Sequence, residues 1–191
     1  MDILEMLTGQ LNNKSVMDEL SRSTGADKGK IEEAVKLCVP TLMEAMTKNA
    51  NTPQGAASLS KALDEHKNAN VEDVLGFLKN VDTKDGSKIL GHIFGSNNQN
   101  VQNNISTQTG LKTNQVSGIL SMLAPLLLGM LGRQKSNKNV GSNDLSSMLG
   151  GILGGSASGG LMKTVTNMLD SDGDGNIMDD LGKLAGGLFK K

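Results

Sequence analysis

The spacing of apolar residues predicts helices along most of the chain. One face of a long helix is marked by apolar positions three and four residues apart, namely Ile31, Ala34, Val35, Cys38 and Leu42. A shorter apolar segment precedes it and stops at Thr24-Gly25, where glycine is a typical helix C-cap. No stretch shows the sustained alternation expected of a strand, so the sequence predicts an all-α helical bundle.

The same pattern returns at a constant offset of 85 residues. Residues 16–46 and 101–131 align so that Thr24-Gly25 matches Thr109-Gly110 and Pro40 matches Pro125. Each copy predicts a helical hairpin, a short helix followed by a longer one. Because a proline inside a helix removes an N–H donor and clashes with the preceding turn, we expect a kink or a break at both prolines.

A second, shorter repeat starts with aspartate and carries glycine at its seventh or eighth place. Its four copies begin at Asp2, Asp85, Asp144 and Asp180. Aspartate is a typical N-cap, and the late glycine lets a short helix end or approach a neighbour closely. Two further helices are predicted between the hairpins, with starts near Thr52-Pro53 and Asn70.

Together, the start MDILEML, the hairpin with Thr24-Gly25 and Pro40, and VDTKDGSKILGHIFG at residues 81–95 resemble the YidB-like family of bacterial proteins. The resemblance covers residues 1–132. It implies a helical fold without an assigned function, because no catalytic residues are attributed to that family. Its members often end, as this chain does, in a Gly-rich stretch and an Asp-rich loop.

The composition changes after Gly129. The segment GRQKSNKNVGSND is polar and rich in turn residues, and GGILGGSASGGL is small and flexible. The sequence therefore predicts a helical domain at residues 1–132 and a second section at 133–191. That section would hold a linker from Arg133 to Asn143, short helices and a metal loop at residues 170–180.

The metal loop is predicted from LDSDGDGNIMDDL at residues 169–181. Asp170, Asp172 and Asp174 stand at positions 1, 3 and 5 of an EF-hand-like or dockerin-like loop, with glycine at position 6 and the Asn176 carbonyl at position 7. The end departs from the EF-hand pattern, because position 12 is leucine rather than the bidentate glutamate. The predicted ligands are therefore Asp170, Asp172, Asp174, Asn176, Asp179 and Asp180.

Five clustered carboxylates repel one another unless a cation is bound, and a bound ion would join the segments on either side. We expect calcium, because it accepts flexible oxygen coordination, whereas magnesium, the alternative, demands near-octahedral geometry. A single loop favours a structural role over a sensor. The competing interpretation is an acidic turn that only caps the last helix.

Composition and charge set further limits. With one cysteine, Cys38, the chain has no intrachain disulfide framework. The formal net charge is −1, and without the five loop aspartates 19 basic residues stand against 15 acidic ones, too few to indicate nucleic-acid binding. The acidic start lacks the basic and apolar regions of a secretory signal, so we expect a cytoplasmic protein.

The apolar segment at residues 116–132 is short for a membrane span and contains a proline, so a buried central helix is favoured and no membrane partner is expected. His66 and His92 lie in no recognisable catalytic motif. These observations favour a non-enzymatic structural or interaction protein that binds copies of itself or another protein. The alternatives are a nucleic-acid-binding regulator and an unrecognised hydrolase.

The nucleic-acid alternative rests on the resemblance of the hairpins to a helix-turn-helix. In the first hairpin, Glu32 and Glu33 would be repelled by phosphates. The second hairpin has no acidic residue among Lys112, Thr113, Asn114 and Gln115. Nucleic-acid binding by this hairpin therefore stays an open alternative.

Overall fold

A computed structural model describes residues 9–155 of the 191-residue chain, with side chains to residue 153. The described part contains eight α-helices and two single-turn 3₁₀ helices, Gly95–Asn97 and Ser142–Asp144, and none of its residues lies in a strand. The predicted all-α fold is confirmed. In chain order the helices are α1 (Lys14–Thr24), α2 (Lys28–Ala50), α3 (Pro53–His66), α4 (Val74–Asn80), α5 (Thr83–Phe94), α6 (Asn98–Thr109), α7 (Thr113–Asn137) and α8 (Leu145–Gly155).

Side-chain caps fix several helix starts. Thr52 caps α3 through its hydroxyl, and Pro53 occupies the first turn, as the sequence predicts. The helix expected near Asn70 begins at Val74, because the Asp73 carboxylate caps it instead. The prediction that Asp85 caps α5 is wrong. The cap is Asp82, whose Oδ1 accepts from the backbone N–H groups of residues 84 and 85.

The two long hairpins share local hydrogen bonds at the same 85-residue offset. Ser21 Oγ donates to the carbonyl five residues later at 2.7 Å, and Ser106 Oγ does the same at 2.6 Å. Gly25 and Gly110 end the shorter helices with nearly identical left-handed backbone angles, φ +65° and +63°. Glycine adopts this conformation without the steric penalty that other residues meet.

Two reciprocal hydrogen bonds join the hairpins. Lys30 Nζ donates to the Gly110 carbonyl at 2.8 Å, and Gln115 Nε2 donates to the Gly25 carbonyl at 2.6 Å. Lys30 and Gln115 are 85 residues apart, as are the two glycines. Pairs of contacts exchanged in this way are those of two units related by an approximate twofold axis.

The central element is α7, which packs against each of α1 to α6. This helix is long and apolar enough to cross a membrane, yet 83% of its most apolar 18-residue window is buried inside the protein. It is a core helix, as the sequence predicts. The apolar face predicted for α2 is also confirmed, because all five of its positions are at most 1% exposed.

Of the kink or break predicted at Pro40 and Pro125, the break does not occur, because neither proline interrupts its helix, and the kink stays a prediction. Both α2 and α7 continue through the proline. One missing hydrogen bond costs less than the burial of the flanking turns contributes, since apolar side chains on both sides of each proline are in the core.

Glycines bring other backbones against α7. A Cβ at Gly86 of α5 would overlap the Ser121 carbonyl oxygen and stand 2.7 Å from its carbon. Because Pro125 has no N–H, that carbonyl lacks its usual helical donor four residues later, and the Gly86 backbone covers it. A Cβ at Gly132 of α7 would likewise overlap the carbonyl oxygen of Leu63 in α3, and it would stand 3.1 Å from the carbonyl carbon.

Residues 133–143 are more regular than the predicted linker. Helix α7 continues to Asn137, and α8 packs against α2 with Leu145 and Leu149 fully buried. The predicted linker start at Arg133 is therefore wrong, because these residues extend the core helix. The predicted ligands at residues 170–180 lie outside the described residues, as do the first and fourth aspartates of the short repeat.

Candidate functional site

A cleft of about 460 Å³ opens between the end of α3, helix α4 and the start of α5. Its polar lining includes His66, Asp73, Asp82 and Asp85, and its apolar lining includes Phe77 and Pro125. Phe77 is half-buried, and Pro125 on α7 is buried. The cleft gathers charged side chains from three consecutive helices beside the core helix.

Within the cleft, His66 and Asp85 form a pair. His66 Nε2 lies 3.1 Å from Asp85 Oδ2, and His66 Nδ1 lies 2.8 Å from the carbonyl of Ala62. The two side chains are 20% and 45% exposed. His66 is the last residue of α3, and Asp85 lies in the first turn of α5. A positive charge on His66 is therefore stabilised by the C-terminal end of the α3 dipole, and the negative charge on Asp85 by the N-terminal end of the α5 dipole.

This geometry differs from that of a catalytic histidine. In an acid–histidine–nucleophile arrangement, the carboxylate holds one ring nitrogen and the other faces the nucleophile. Here both ring nitrogens of His66 already contact acceptors, one the Ala62 carbonyl and the other Asp85. The pair therefore links two helices and leaves no ring nitrogen free to take a proton from a substrate.

The other two carboxylates of the cleft serve as helix caps. Asp73 Oδ1 accepts from the backbone N–H of Gly76 at 2.9 Å, and Asp82 Oδ1 accepts from that of Lys84 at 2.8 Å. Each uses one oxygen in this way to satisfy backbone donors that a helix start leaves open. Their positions in the cleft thus follow from local helix chemistry.

Two ion pairs secure the far end of α7. Lys135 Nζ, which is 10% exposed, lies 2.7 Å from both oxygens of Asp64 on α3. Arg133 Nη1 donates to Glu72 at 2.9 Å. The positive charges that the sequence places at residues 133 and 135 therefore hold α7 to the segment carrying the cleft.

A buried carboxylate also occurs away from the cleft, at Glu19 of α1. Arg22 Nη2 donates to Glu19 Oε1 at 2.6 Å, and Ser23 Oγ donates to the same oxygen at 2.9 Å. The hydrogen bond from the Arg22 guanidinium holds the pKa of Glu19 below its usual range, against the opposing effect of burial. Burial alone raises the pKa of the Cys38 thiol far above its usual range, so the thiol stays protonated and unreactive.

The structure does not test the predicted metal ligands. Among residues 9–155, no group of three or more histidine, cysteine or acidic side chains is arranged to hold a metal ion. The calcium prediction concerns residues 170–180 alone, beyond that part of the chain.

The hairpin residues considered for nucleic-acid contact are partly committed to internal contacts. Gln115 donates to Gly25 of the first hairpin, and Thr113 Oγ1 donates to Asn103 at 3.2 Å. Lys112 and Asn114 are exposed. The nucleic-acid alternative stays a prediction that these contacts do not favour.

Sequence reasoning missed the cleft. No catalytic motif surrounds His66, and the sequence pattern predicts Asp85 as a helix cap. Their contact joins residues 19 positions apart and depends on the path of the chain between them. The one local signal is a histidine at the end of one predicted helix and an aspartate at the start of another.

Comparison with known proteins gives one match. A family model described as a bacterial protein of unknown function, DUF937, matches residues 5–134. No curated protein and no solved structure matches the chain. The matched residues hold both hairpins, the cleft and nearly all of α7, and they agree with the resemblance to a bacterial family without an assigned function. The chain therefore belongs to this DUF937 family.

Proposed function

We propose that the protein is a non-enzymatic structural or interaction protein that assembles with copies of itself. A calcium ion held by the aspartate loop, with Asp170, Asp172 and Asp174 as the first ligands, would give the C-terminal segment a fixed shape. Another protein with a matching surface is the alternative partner.

The assembly proposal rests on two exposed glycines on the outer side of α8. Gly150 and Gly151 are exposed, and no atom lies within 4 Å of the position that a Cβ would take at either residue. Gly86 and Gly132, in contrast, allow close contacts within the chain. Gly150 and Gly151 make no such close contact inside the described part of the chain. The backbone of a neighbouring molecule can therefore approach α8 closely at these two residues.

Helix α8 is also firmly attached. Its buried leucines, Leu145 and Leu149, lie in the same core as α2. A surface presented by α8 therefore keeps a defined orientation relative to the bundle. If this surface meets a different surface on the next copy, the contact can repeat and produce rings or filaments.

The calcium proposal is supported by the order of oxygen ligands in the sequence. Asp170, Asp172 and Asp174, followed by glycine and by Asn176, reproduce the first seven positions of an EF-hand loop. Only 14 residues separate the end of α8 at Gly155 from Asp170. A bound ion would therefore order a segment next to the proposed contact surface.

Titration calorimetry of the full chain with calcium tests the metal site. Asp172→Asn should abolish or strongly reduce the heat of binding, because it removes the charged ligand at position 3 of the loop. Asp144→Asn is the matched control, since Asp144 is exposed and lies outside the loop. Absence of heat in the unmodified protein, or equal heat in Asp172→Asn, would contradict the proposal, and magnesium titrated alone shows which ion is preferred.

Light scattering of glycine variants tests the contact surface. Gly150→Gln combined with Gly151→Gln should lower the assembled mass. Both positions are open in the bundle, whereas the backbone of a second copy in close contact would leave no space for the added side chains. Gly91→Gln, at another exposed and open helix position, should leave the mass unchanged. An unchanged mass in the double variant would remove α8 from the interface.

A further inference from the structure

The chain makes an excursion between His66 and Asp85. It leaves α3 at His66, forms α4, and returns at the first turn of α5, so the excursion comprises residues 67–84. The contact of 3.1 Å between His66 Nε2 and Asp85 Oδ2 joins the two ends of this excursion. We propose that this pair is a proton-dependent clasp, which holds α4 against the bundle when His66 is protonated and loosens α4 when the proton is lost.

The requirement for a proton follows from the two acceptors around the ring. The Ala62 carbonyl can only accept a hydrogen bond, so Nδ1 must carry a proton to bind it. The Asp85 carboxylate also accepts, so Nε2 needs a second proton to donate to it. Both contacts are satisfied together only by the imidazolium ion. A ring with one proton would turn a lone pair toward one of the two acceptors.

The carboxylates that line the cleft with His66 all act on its ring in the same direction. Asp73 and Asp82 line the cleft with Asp85, and these three carboxylates come from the starts of α4 and α5. All three attract a charged ring. On α7, the cleft is lined by the uncharged Pro125.

Two basic groups of α7 are paired with other carboxylates. Lys135 binds both oxygens of Asp64, and Arg133 binds Glu72. Lys67 is not among the residues that line the cleft. Among the residues that line the cleft, the pair of His66 and Asp85 is therefore accompanied by two further carboxylates and by no lysine or arginine.

Release of the clasp would loosen α4 without unfolding the bundle. Val74 and Leu78 stay buried in the common core on one side of α4, while Phe77 is half-buried on the side that faces the cleft. A partly exposed ion pair changes an equilibrium by a limited factor, so we expect local opening of α4 to become about two- to fivefold more frequent. The apolar surface around Phe77 would then be exposed more often.

Amide hydrogen exchange of the full chain at about pH 5.5 and about pH 8, a range in which histidine changes charge, tests the clasp. After correction for the intrinsic pH dependence of exchange, protection of residues 74–80 should fall about two- to fivefold at the higher pH. His66→Gln should show the lower protection at both pH values. His92→Gln, which alters an exposed histidine on α5, should keep the pH dependence of the unmodified protein.

Equal protection of α4 at both pH values in the unmodified protein would overturn the proposal. So would a His66→Gln variant that retains the pH dependence. Asp85→Asn adds a matched test, because it keeps the side-chain size and removes the charge. Its α4 should lose the pH dependence while the helix content of the protein is unchanged.

Nitrogen-detected NMR of the histidine rings gives a readout that does not depend on stability. Above the titration range, the remaining proton of His66 should stay on Nδ1, because the Ala62 carbonyl accepts it there. The exposed His92 should instead show the Nε2–H form that solvated histidine prefers. A neutral His66 protonated on Nε2 would contradict the arrangement. This outcome is independent of calcium binding and assembly.

Discussion

Replacing Gly86 by alanine should destabilise the bundle strongly, because the added methyl group has no space between α5 and α7. A Cβ at this position would overlap the Ser121 carbonyl oxygen, and it would stand 2.7 Å from the carbonyl carbon and 3.0 Å from Cα. Carbon atoms in contact are normally about 3.5–4.0 Å apart, so the two helices would have to separate by about 1 Å. The obstacle is backbone inside a buried helix, which cannot move aside as a side chain could.

The size of the effect follows from two opposing contributions. Overpacking of this kind costs about 1–3 kcal/mol, and the rigid obstacle places Gly86→Ala at the upper end of that range. Alanine recovers about 0.5–1 kcal/mol through its better helix propensity. The net loss should be about 2 kcal/mol, and for a chain of this length each kcal/mol lowers Tm by about 2–4 °C.

The same helix supplies a matched control. Gly91 of α5 is exposed, and no atom lies within 4 Å of its Cβ position. Gly91→Ala therefore gains the helix propensity without the clash and should raise stability by about 0.5–1 kcal/mol. The two variants make the same chemical change in one helix and should move stability in opposite directions.

Urea unfolding followed by circular dichroism, with a thermal scan as a second measurement, gives both values. An ordinary surface substitution changes the free energy of unfolding by no more than about 0.5 kcal/mol. If the free energy of unfolding of Gly86→Ala is that close to the value of the unmodified protein, the close approach of α5 and α7 is incorrect. A destabilising Gly91→Ala would show that the comparison does not isolate packing.

Three further predictions concern separate parts of the bundle. Burial raises the pKa of the Cys38 thiol, so a thiol reagent should modify it only as fast as the protein unfolds; immediate labelling of the native protein would contradict its burial. Arg22 lowers the pKa of Glu19 in the folded protein. The carboxylate therefore stabilises the fold at pH values above its unfolded-state pKa of about 4.3, and this stabilisation is lost as the pH falls through the lower folded-state pKa. Urea midpoints measured from neutral to acid pH should depend less on pH in Arg22→Met, and equal slopes would refute this. Gly25→Ala and Gly110→Ala should each lower the free energy of unfolding by about 1–2 kcal/mol, because both positions have positive φ. Clearly different losses in the two variants would argue against equivalent turns.

The sequence is most informative where the controlling interaction is local. Helix ends at Gly25 and Gly110 depend on one residue that tolerates positive φ, and the start of α3 depends on Thr52 followed by Pro53. The buried face of α2 follows from helical periodicity alone. For these features the relevant residues are within one or two turns of each other, so their pattern can be read directly.

Features controlled by distant contacts were predicted less well. The effect of Pro125 depends on Gly86, which lies 39 residues earlier and brings α5 against the carbonyl left without its helical donor. The extension of α7 through Arg133 and Lys135 depends on their ion pairs with Glu72 and Asp64. A local reading of GRQKSNKNVGSND finds only polar and turn-forming residues there.

The candidate site shows the same division. Asp73 and Asp82 follow the ordinary pattern of helix N-caps, so their positions could have been predicted from the residues around them. The contact between His66 and Asp85 could not, because it depends on α3 and α5 both packing against α7, which brings the end of one near the start of the other. The predicted ligand residues 170–180 are outside the described part and stay a prediction.

The most direct test of the account is the mass of the full chain in solution, measured by light scattering with excess calcium and again with a chelator. The proposal predicts a mass that is a multiple of 20.0 kDa with calcium and a smaller mass without it. A mass of 20.0 kDa under both conditions would contradict calcium-supported self-assembly.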